Sequence, residues 1–180
     1  DISSSKELKL PEPVEDGQTF EENALIKAKS ASNLSNLISL SDDSGIEIDA
    51  LDKQPGIYSA RWAGPNRDFD FAMREVTRLL DEKKIPIAER TARFVCALCL
   101  FYPNGEYFFF VGKVEGRVVW PPRGKYGFGY DAIFEPLNMN KTFGEITSGE
   151  KHSWTPKKIG LSHRAKAFAK FVSYLSQEKK

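Results

Sequence analysis

The sequence predicts a mixed α/β domain, with an extended, curved sheet flanked by helices and a ligand cleft between two lobes. Segments with the apolar and aromatic pattern of strands recur along the chain, and segments with apolar residues at helical spacing lie between them. The length of 180 residues fits one domain, and no internal repeat or low-complexity tract divides it. We therefore expect a single domain over residues 1–180.

Two helices carry start signals in the sequence. The first 18 residues are polar and contain prolines, which predicts a loop or a frayed end. Thr19 and Glu22 then have the spacing of a capping box, so a helix is expected from here to about Leu34. Asp68 is the expected N-cap of a second helix, whose apolar positions recur at helical spacing: Phe69, Met73, Val76 and Leu80.

The two cysteines lie in an apolar run that predicts a buried strand. Cys96 and Cys99 are three residues apart, and residues at that spacing on a strand face opposite sides. They are therefore expected to be core thiols that neither chelate a metal nor form a redox pair. The sequence Pro103-Asn104-Gly105 predicts a hairpin between this strand and a second long strand that ends near Trp120.

The charge balance and the apolar runs exclude several classes of protein. A net charge of +1 argues against a general nucleic-acid binder, whose domain is normally strongly basic. No apolar run approaches the ~20 residues of a membrane span, and no secretory signal opens the chain. We expect a soluble, cytoplasmic protein that binds neither nucleic acid nor membrane.

Adjacent carboxylates give the first candidate site. Asp42 and Asp43 follow an apolar run and precede Ser44 and Gly45, which predicts a strand that delivers two acids to a tight turn. Oxygen ligands suit Mg²⁺, which keeps several waters and is completed by substrate phosphates. One acid could hold the ion while the other takes a proton from water. The alternative is that Asp-Asp-Ser-Gly is only a turn.

The residues after this segment have simpler interpretations. Ile46 to Ala50 alternate apolar and acidic side chains, so Glu47 and Asp49 are expected to face away from the core. Arg61 lies among turn formers and aromatics, where it could bind phosphate through its planar fork or pack on Trp62.

A glycine-rich loop over residues 121–131 is the second candidate site. Its glycines allow close approach of backbone to a ligand. Phe128 and Tyr130 offer flat faces for stacking a base, and Asp131 can accept hydrogen bonds from a base or a ribose. Without a ligand, the same composition predicts a purely structural loop.

The third candidate site is the start of the last helix. Ser162 is a good N-cap, but Arg164 places a cation where the helix dipole already supplies positive charge. A bound anion reverses that preference, because free N–H groups and an arginine together form a phosphate site. His163 could donate to a base, or it could be an ordinary surface histidine.

Taken in chain order, several segments resemble the inosine triphosphate pyrophosphatase family, the non-canonical purine nucleoside triphosphate pyrophosphatases. The matching segments span nearly the whole chain: TFEENALIKA from Thr19, SDDSGIEIDAL from Ser41, PGIYSARWAG from Pro55, ARFVCAL from Ala92, GFGYDAIF from Gly127 and SHRAKA from Ser162.

The resemblance implies an activity and a set of residue roles. The implied reaction cleaves inosine, deoxyinosine and xanthosine triphosphates between the α and β phosphates, with Mg²⁺ bound, in an enzyme that is commonly a homodimer. Asp43 is implied as the base and a metal ligand, Asp42 supports the metal, and Glu15 resembles a second metal-site carboxylate. Lys27 and Ser44 are implied to face the substrate.

For the base and the remaining contacts, the resemblance points to the second and third sites. Phe128 is implied to stack on the purine, with Gly129, Tyr130 and Asp131 beside it, and His163 and Arg164 are implied to bind substrate. The lysine that completes the site could be Lys151 or Lys158, because a short insertion around residues 152–158 separates two matches to the family pattern. Lys151 is slightly favoured.

The sequence also departs from the family at its start. Family members begin with a strand, a Thr/Ser-x-Asn-x-x-Lys phosphate loop and a helix, which have no counterpart in the printed sequence. Two other interpretations therefore stay open. One is a purine nucleotide-binding module without catalysis, and the other is a structural or interaction domain in which the acids and glycines only form turns.

Overall fold

The computed structural model describes residues 2–155 and 158–178. Within these residues the chain forms four α-helices and six strands, besides six short 3-10 helices. Their order is α1 Phe20–Ser35, β1 Ser39–Ile48, α2 Phe69–Glu82, β2 Thr91–Phe101, β3 Tyr107–Val118, β4 Phe134–Pro136, α3 Ser148–His152, β5 Trp154–Thr155, β6 Lys158–Ile159 and α4 His163–Glu178. This confirms the predicted mixed α/β class.

The main sheet is antiparallel, in the order β1-β2-β3-β4, and β5 and β6 form a separate pair. The predicted hairpin is confirmed, because Phe101 pairs with Tyr107 across the turn. Gly105 supplies the turn with a φ of +93°, a conformation that favours glycine. The second strand ends at Val118, two residues before the predicted end.

The predicted helix starts are confirmed by hydrogen bonds. The Thr19 side chain accepts from the backbone N–H of Glu22 at 3.1 Å, and Asp68 caps α2 by accepting from Phe71 N–H at 2.9 Å. The Glu22 carboxylate accepts from Gln18 N–H rather than from Thr19, so the capping box closes one residue early. Residues 2–18 form turns and extended loop without a helix or a strand.

Helices cover both faces of the sheet. One face carries α1, with an apolar cluster of Phe20, Ala24, Ala28, Val95, Ala97, Cys99 and Phe101. The opposite face carries α4, with a cluster of Cys96, Leu98, Leu100, Phe110 and Ala167. The two cysteines are buried on opposite faces, as predicted.

Gly112 sets the distance between α4 and the sheet. A Cβ at this position would overlap His163 O and lie 2.5 Å from Ala167 N. The first turn of α4 therefore lies directly on β3, which only glycine allows. This contact fixes the start of α4, including His163 and Arg164, against the sheet.

The largest apolar cluster lies at the other end of the α4 face, where α2 and β4 pack on the sheet. Phe94 is central to it, with its ring centroid 4.6 Å from that of Phe134 and 4.8 Å from that of His163. Its other buried members include Ile46, Ile48, Met73, Val76, Leu80, Val114, Val118, Ile133 and Phe143.

The predicted turn at the paired acids is wrong. β1 runs without a break through Asp42, Asp43, Ser44 and Gly45, which pair with residues 95–98 of β2. Gly45 is needed for packing, because a Cβ there would overlap Gly56 O. Pairing along the whole of β2 therefore outweighs the turn preference of these residues.

Glu47 and Asp49, at the end of β1, form ion pairs with Arg93 at the surface. Arg93 donates to Asp49 at 3.0 Å and to Glu47 at 3.4 Å. The hydrogen bond from Arg93 lowers the pKa of Asp49 despite some burial. Both acids face away from the core, as predicted. Among the residues described, no helix combines the length and apolarity needed to cross a membrane.

Candidate active site

β1 sends its two adjacent carboxylates to opposite faces of the sheet. Successive side chains on a strand alternate between faces. Asp43 lies opposite Ala97 and contacts α1, whereas Asp42 lies opposite Leu98 and contacts α4. Each acid therefore belongs to a different cluster of charged groups.

The cluster on the α1 face is centred on Lys27. Its Nζ lies 3.0 Å from Asp43 Oδ1 and 3.0 Å from Glu15 Oε1, so two carboxylates converge on one cation. Asn23, which is fully buried, donates to Asp43 Oδ2 at 3.3 Å. Arg61 packs over Tyr58, not Trp62, and donates to the Glu15 carbonyl at 2.8 Å. The loop that carries Glu15 is thereby held beside β1.

The surroundings of Asp43 raise its pKa instead of lowering it. Burial raises the pKa of Asp43 above its ordinary value, and the neighbouring Glu15 adds to the effect, while Lys27 opposes it. Burial works against the charge of Lys27, but Asp43 and Glu15 together raise its pKa. Asp43 is thus the carboxylate whose proton affinity is increased, which suits a general base.

The cluster on the α4 face contains a counter-charge for Arg164, the cation at the start of α4. Its Nη2 donates to Asp42 Oδ2 at 2.8 Å and to Ser44 Oγ at 3.3 Å, and Ser44 also donates to Asp42 at 3.0 Å. Burial disfavours the charge of Asp42, but Arg164 and Ser44 outweigh it and lower its pKa. Asp42 therefore neutralises the cation at the start of α4.

An aromatic pocket opens between the start of α4, the 121–131 loop and α2. Most of the predicted substrate-binding residues line it: Ser44, Phe128, Gly129, Tyr130, Asp131, Lys151, His163 and Arg164. The Phe128 ring is 68% exposed and free to meet a ligand. Tyr130 is buried instead, and its hydroxyl donates to Ser59 O at 2.9 Å. Phe128 is thus the better stacking face.

Lys151 and Asp131 form a buried ion pair in the pocket wall. Lys151 is 1% exposed and its Nζ donates to Asp131 Oδ2 at 2.8 Å, and the same oxygen accepts from Phe128 N–H at 3.3 Å. Gly127 has a φ of +88°, and a Cβ there would overlap both Asp131 Oδ2 and Lys151 Nζ. The pair therefore requires glycine beside it, and it ties Phe128 to the pocket.

His163 is the least satisfied polar group of the pocket. It is 8% exposed and its ring stacks on Phe94 at an interplanar angle of 12°. Burial, assisted by the charge of Arg164, lowers its pKa to about 3, so the ring is neutral at pH 7. Its Nδ1 is buried and has no hydrogen-bond partner within the described part of the chain. The neutral ring lines the pocket, so a ligand there would meet an uncharged imidazole.

The two candidate lysines have different surroundings. Lys151 lines the pocket, whereas Lys158 is exposed on β6 and outside it. Part of the proposed insertion, residues 156–157, lies outside the described residues. Ser162 is confirmed as an N-cap, since it accepts from Ala165 N–H at 3.0 Å. Its hydroxyl also lies 3.0 Å from Nδ1 of His152.

Several site residues escaped the sequence analysis. Asn23 holds Asp43, and Phe69 and His152 line the pocket. One feature of the sequence could have identified Asn23: it is a polar residue among the buried positions of α1, between Phe20 and Ala24. Phe69 looked like an ordinary core residue, because its apolar spacing in α2 fits packing equally well.

The donor set on the α1 face contains two carboxylates that could bind a metal ion. In residues 2–155 and 158–178, no group of three or more His, Cys, Asp or Glu side chains is arranged to hold one. Asp43 and Glu15 nevertheless converge on a positive charge, the ammonium of Lys27. Two carboxylates, with water and substrate oxygens for the rest, fit the way in which Mg²⁺ is usually bound.

Comparison with known proteins gives consistent matches. A model of the Ham1 family matches residues 1–174. The chain is 53% identical over 177 residues to a dITP/XTP pyrophosphatase of Brucella melitensis, a match that covers 96% of this chain and 80% of that protein. A dITP/XTP pyrophosphatase of Agrobacterium fabrum is also 53% identical, over 174 residues, with 94% and 81% of the two chains covered.

Solved structures show the same fold. A HAM1 protein from Coxiella burnetii is 34% identical and superimposes with a TM-score of 0.87, covering 96% of this chain and 84% of that one. A nucleoside-triphosphatase / dITP/XTP pyrophosphatase from Mycobacterium abscessus is 37% identical with a TM-score of 0.77, covering 94% and 85%.

Proposed function

The chain belongs to the Ham1 family, and from this premise we propose that it hydrolyses non-canonical purine nucleoside triphosphates to the monophosphate and pyrophosphate. The substrates are inosine, deoxyinosine and xanthosine triphosphates. The observation that carries the proposal is an aromatic pocket that brings together the exposed ring of Phe128, the neutral ring of His163 and the side chains of Lys151 and Arg164.

The base is recognised in this pocket. Phe128 stacks on the purine, because its ring is exposed at the pocket mouth. A 6-oxo group accepts a hydrogen bond from the neutral His163 ring, which lines the pocket beside the Lys151–Asp131 ion pair. Adenine presents a 6-amino group instead, which cannot accept a hydrogen bond from His163. A site built to hydrogen-bond one group strongly rejects the analogue that lacks it.

The triphosphate extends from the pocket towards β1. Arg164, at the start of α4, binds phosphate oxygens, because a helix N-terminus favours a bound anion. Asp42 holds Arg164 in place. Lys27, on the other face, is the second cation available to phosphate. The metal role expected of Asp42 stays a prediction.

Water is activated by Asp43. Its raised pKa increases its affinity for a proton, and Asn23 fixes the orientation of the carboxylate. Asp43 and Glu15 are the residues that would hold Mg²⁺, and the ion would neutralise charge on the triphosphate. Because Lys27 occupies the point where these carboxylates converge, it must move when a metal binds there.

Pyrophosphate release tests the proposal. We expect rapid release from inosine, deoxyinosine and xanthosine triphosphates with Mg²⁺, loss of activity in EDTA, and slow release from adenosine triphosphate. Inosine and adenosine triphosphates are a matched pair that differs only in the group at the 6 position of the base and in the proton on the adjacent N1. Equal rates for that pair contradict the assigned base contacts. Tight binding of inosine triphosphate without pyrophosphate release identifies a non-catalytic binding module instead.

Two further features are proposed from family membership alone. We propose that the enzyme acts in the cytoplasm, where it removes non-canonical nucleotides from the pool used for nucleic-acid synthesis, and that it is a homodimer. Sedimentation of the purified protein across a range of concentrations measures its oligomeric state, and a monomer at all concentrations contradicts the second proposal.

A further inference from the structure

The 121–131 loop, which carries the stacking residue Phe128, is anchored at both ends. At its far end Asp131 is paired with Lys151, and at its near end Arg123 reaches the buried Glu135 of β4. We infer that Arg123 is a positioning residue that sets the geometry of the base pocket through Glu135. The inference rests on the proposed function, because it concerns how that pocket holds a base.

Glu135 is a buried acid shared by two arginines. It is 5% exposed, and its Oε2 accepts from Arg123 Nη2 at 2.5 Å while its Oε1 accepts from Arg117 Nε at 2.9 Å. Burial disfavours the charged form, but both arginines outweigh it and lower the pKa of Glu135. A buried carboxylate that stays charged exerts a strong and directional hold on its partners.

The backbone around Arg123 is held as firmly as its side chain. Arg123 N–H donates to Ala132 O and Arg123 O accepts from Thr142 Oγ1, both at 2.8 Å. Three residues further on, Tyr126 N–H donates to Gly144 O at 2.8 Å. The segment that leads to Phe128 is therefore fixed at Arg123 and again at Tyr126.

A second acid approaches the same guanidinium. Arg123 Nε lies 3.5 Å from Glu145 Oε2, yet it is buried and has no hydrogen-bond partner among the residues described. Glu145 itself accepts from Thr142 N–H at 2.8 Å. The guanidinium is thus held between two acids from different segments, which restricts the directions in which the loop can move.

Comparing Arg117 with Arg123 distinguishes a role in positioning the loop that carries Phe128 from a role in the stability of the fold alone. Both contact Glu135, but Arg117 lies on β3, which is hydrogen-bonded to β2 along its length. Arg123 lies in a loop without such pairing. The Phe128 ring is mostly exposed, so its own packing cannot fix its position, and the loop backbone must do so. Small displacements of a binding group are enough to impair substrate positioning.

The test compares Arg123→Met with Arg117→Met, which removes a contact to the same carboxylate from a strand. We expect Arg123→Met to raise KM for inosine triphosphate about 10-fold with kcat within about two-fold, and Arg117→Met to leave both nearly unchanged. Arg123→Lys should restore part of the loss. Melting temperatures of all variants show whether any change follows from stability alone.

A double variant asks whether Arg123 acts through Phe128. If it does, Arg123→Met should have little further effect on KM in a Phe128→Ala background, because effects that act through one group are not additive. Equal changes in KM for Arg117→Met and Arg123→Met, or additive effects in the double variant, would overturn the inference.

Proteolysis gives a readout that does not depend on catalysis. Trypsin can cut the native loop after Lys125, which is exposed between the two anchors. Arg123→Met should make that cut several-fold faster in the folded protein, and Arg117→Met should not. An inactive wild-type protein would contradict the proposed function, whereas unchanged cleavage in Arg123→Met would contradict the anchoring role, so the two failures are distinguishable.

Discussion

Replacing Lys27 with methionine separates its effect on the metal from its effect on phosphate. The Lys27 ammonium lies 3.0 Å from both Glu15 and Asp43, so Mg²⁺ bound by these carboxylates must displace it. Lys27→Met removes this competitor and keeps most of the apolar stem. We expect tighter binding of Mg²⁺ together with slower pyrophosphate release, because a phosphate-binding cation is lost.

The expected size follows from the contacts that the metal must break. Hydrogen bonds between charged groups contribute about 1.5–3 kcal/mol each when buried, and exposed ion pairs contribute about 0–1 kcal/mol. The side chain of Lys27 is 24% exposed and that of Glu15 is 35% exposed, so the two contacts lie between these limits. At about 1–1.5 kcal/mol each, the two contacts total about 2–3 kcal/mol, which corresponds to a Kd for Mg²⁺ that is about 30- to 150-fold lower.

Titration calorimetry with Mg²⁺ alone, without nucleotide, measures this change directly. Lys29→Met is the matched control, because Lys29 lies on the same helix and is exposed. It should leave the affinity for Mg²⁺ unchanged. Unchanged or weaker binding in Lys27→Met would refute the reasoning, and would mean that the ion is held away from Glu15 and Asp43.

Three further changes test the remaining roles. Asp43→Asn should keep the fold and lower kcat by ~10²-fold or more, the scale for removal of a general base, and normal turnover with normal Mg²⁺ dependence would exclude Asp43 from the mechanism. Phe128→Ala should weaken base binding by about 1–3 kcal/mol, and a wild-type KM would place the base elsewhere. His163 has its pKa lowered to about 3 by burial, so the unfolded chain binds its proton more readily. The stability due to neutral His163 should be complete above about pH 6.5 and fall by up to about 1.4 kcal/mol per pH unit below it. Urea unfolding at pH 7 and pH 5.5 should show this slope in the wild type and a smaller one in His163→Gln, and equal slopes would contradict the assignment.

Local rules predicted much of the fold. The caps at Thr19, Asp68 and Ser162 depend on side-chain to backbone hydrogen bonds within three residues, which the sequence displays directly. The opposite burial of Cys96 and Cys99 follows from strand period alone. The failure was at Asp42 to Gly45, where composition favours a turn and the partner residues on β2 lie 50 to 56 residues away in the sequence.

The candidate site was harder to predict, because its contacts join distant segments. Residue type pointed to Asp43, and the family resemblance alone pointed to Lys27 and Glu15. Nothing in the sequence shows that one ammonium lies between two carboxylates. Asn23 was missed because its role depends on burial, which is a property of the folded chain. The orphaned Nδ1 of His163 likewise appears only once Phe94 and α4 surround the ring.

Because β1 is unbroken, the site depends on the register of its residues against β2. Asp42 and Asp43 differ in function only because odd and even positions point in opposite directions. Inserting one alanine between Asp42 and Asp43, with Asp43 and the rest of β1 kept in register with β2, would move Asp42 and every residue before it by one position, onto the other face. Arg164 would then lose its counter-charge, and an additional acid would crowd Lys27. A change of one residue in length, without any change of chemistry, would therefore be more damaging here than many substitutions.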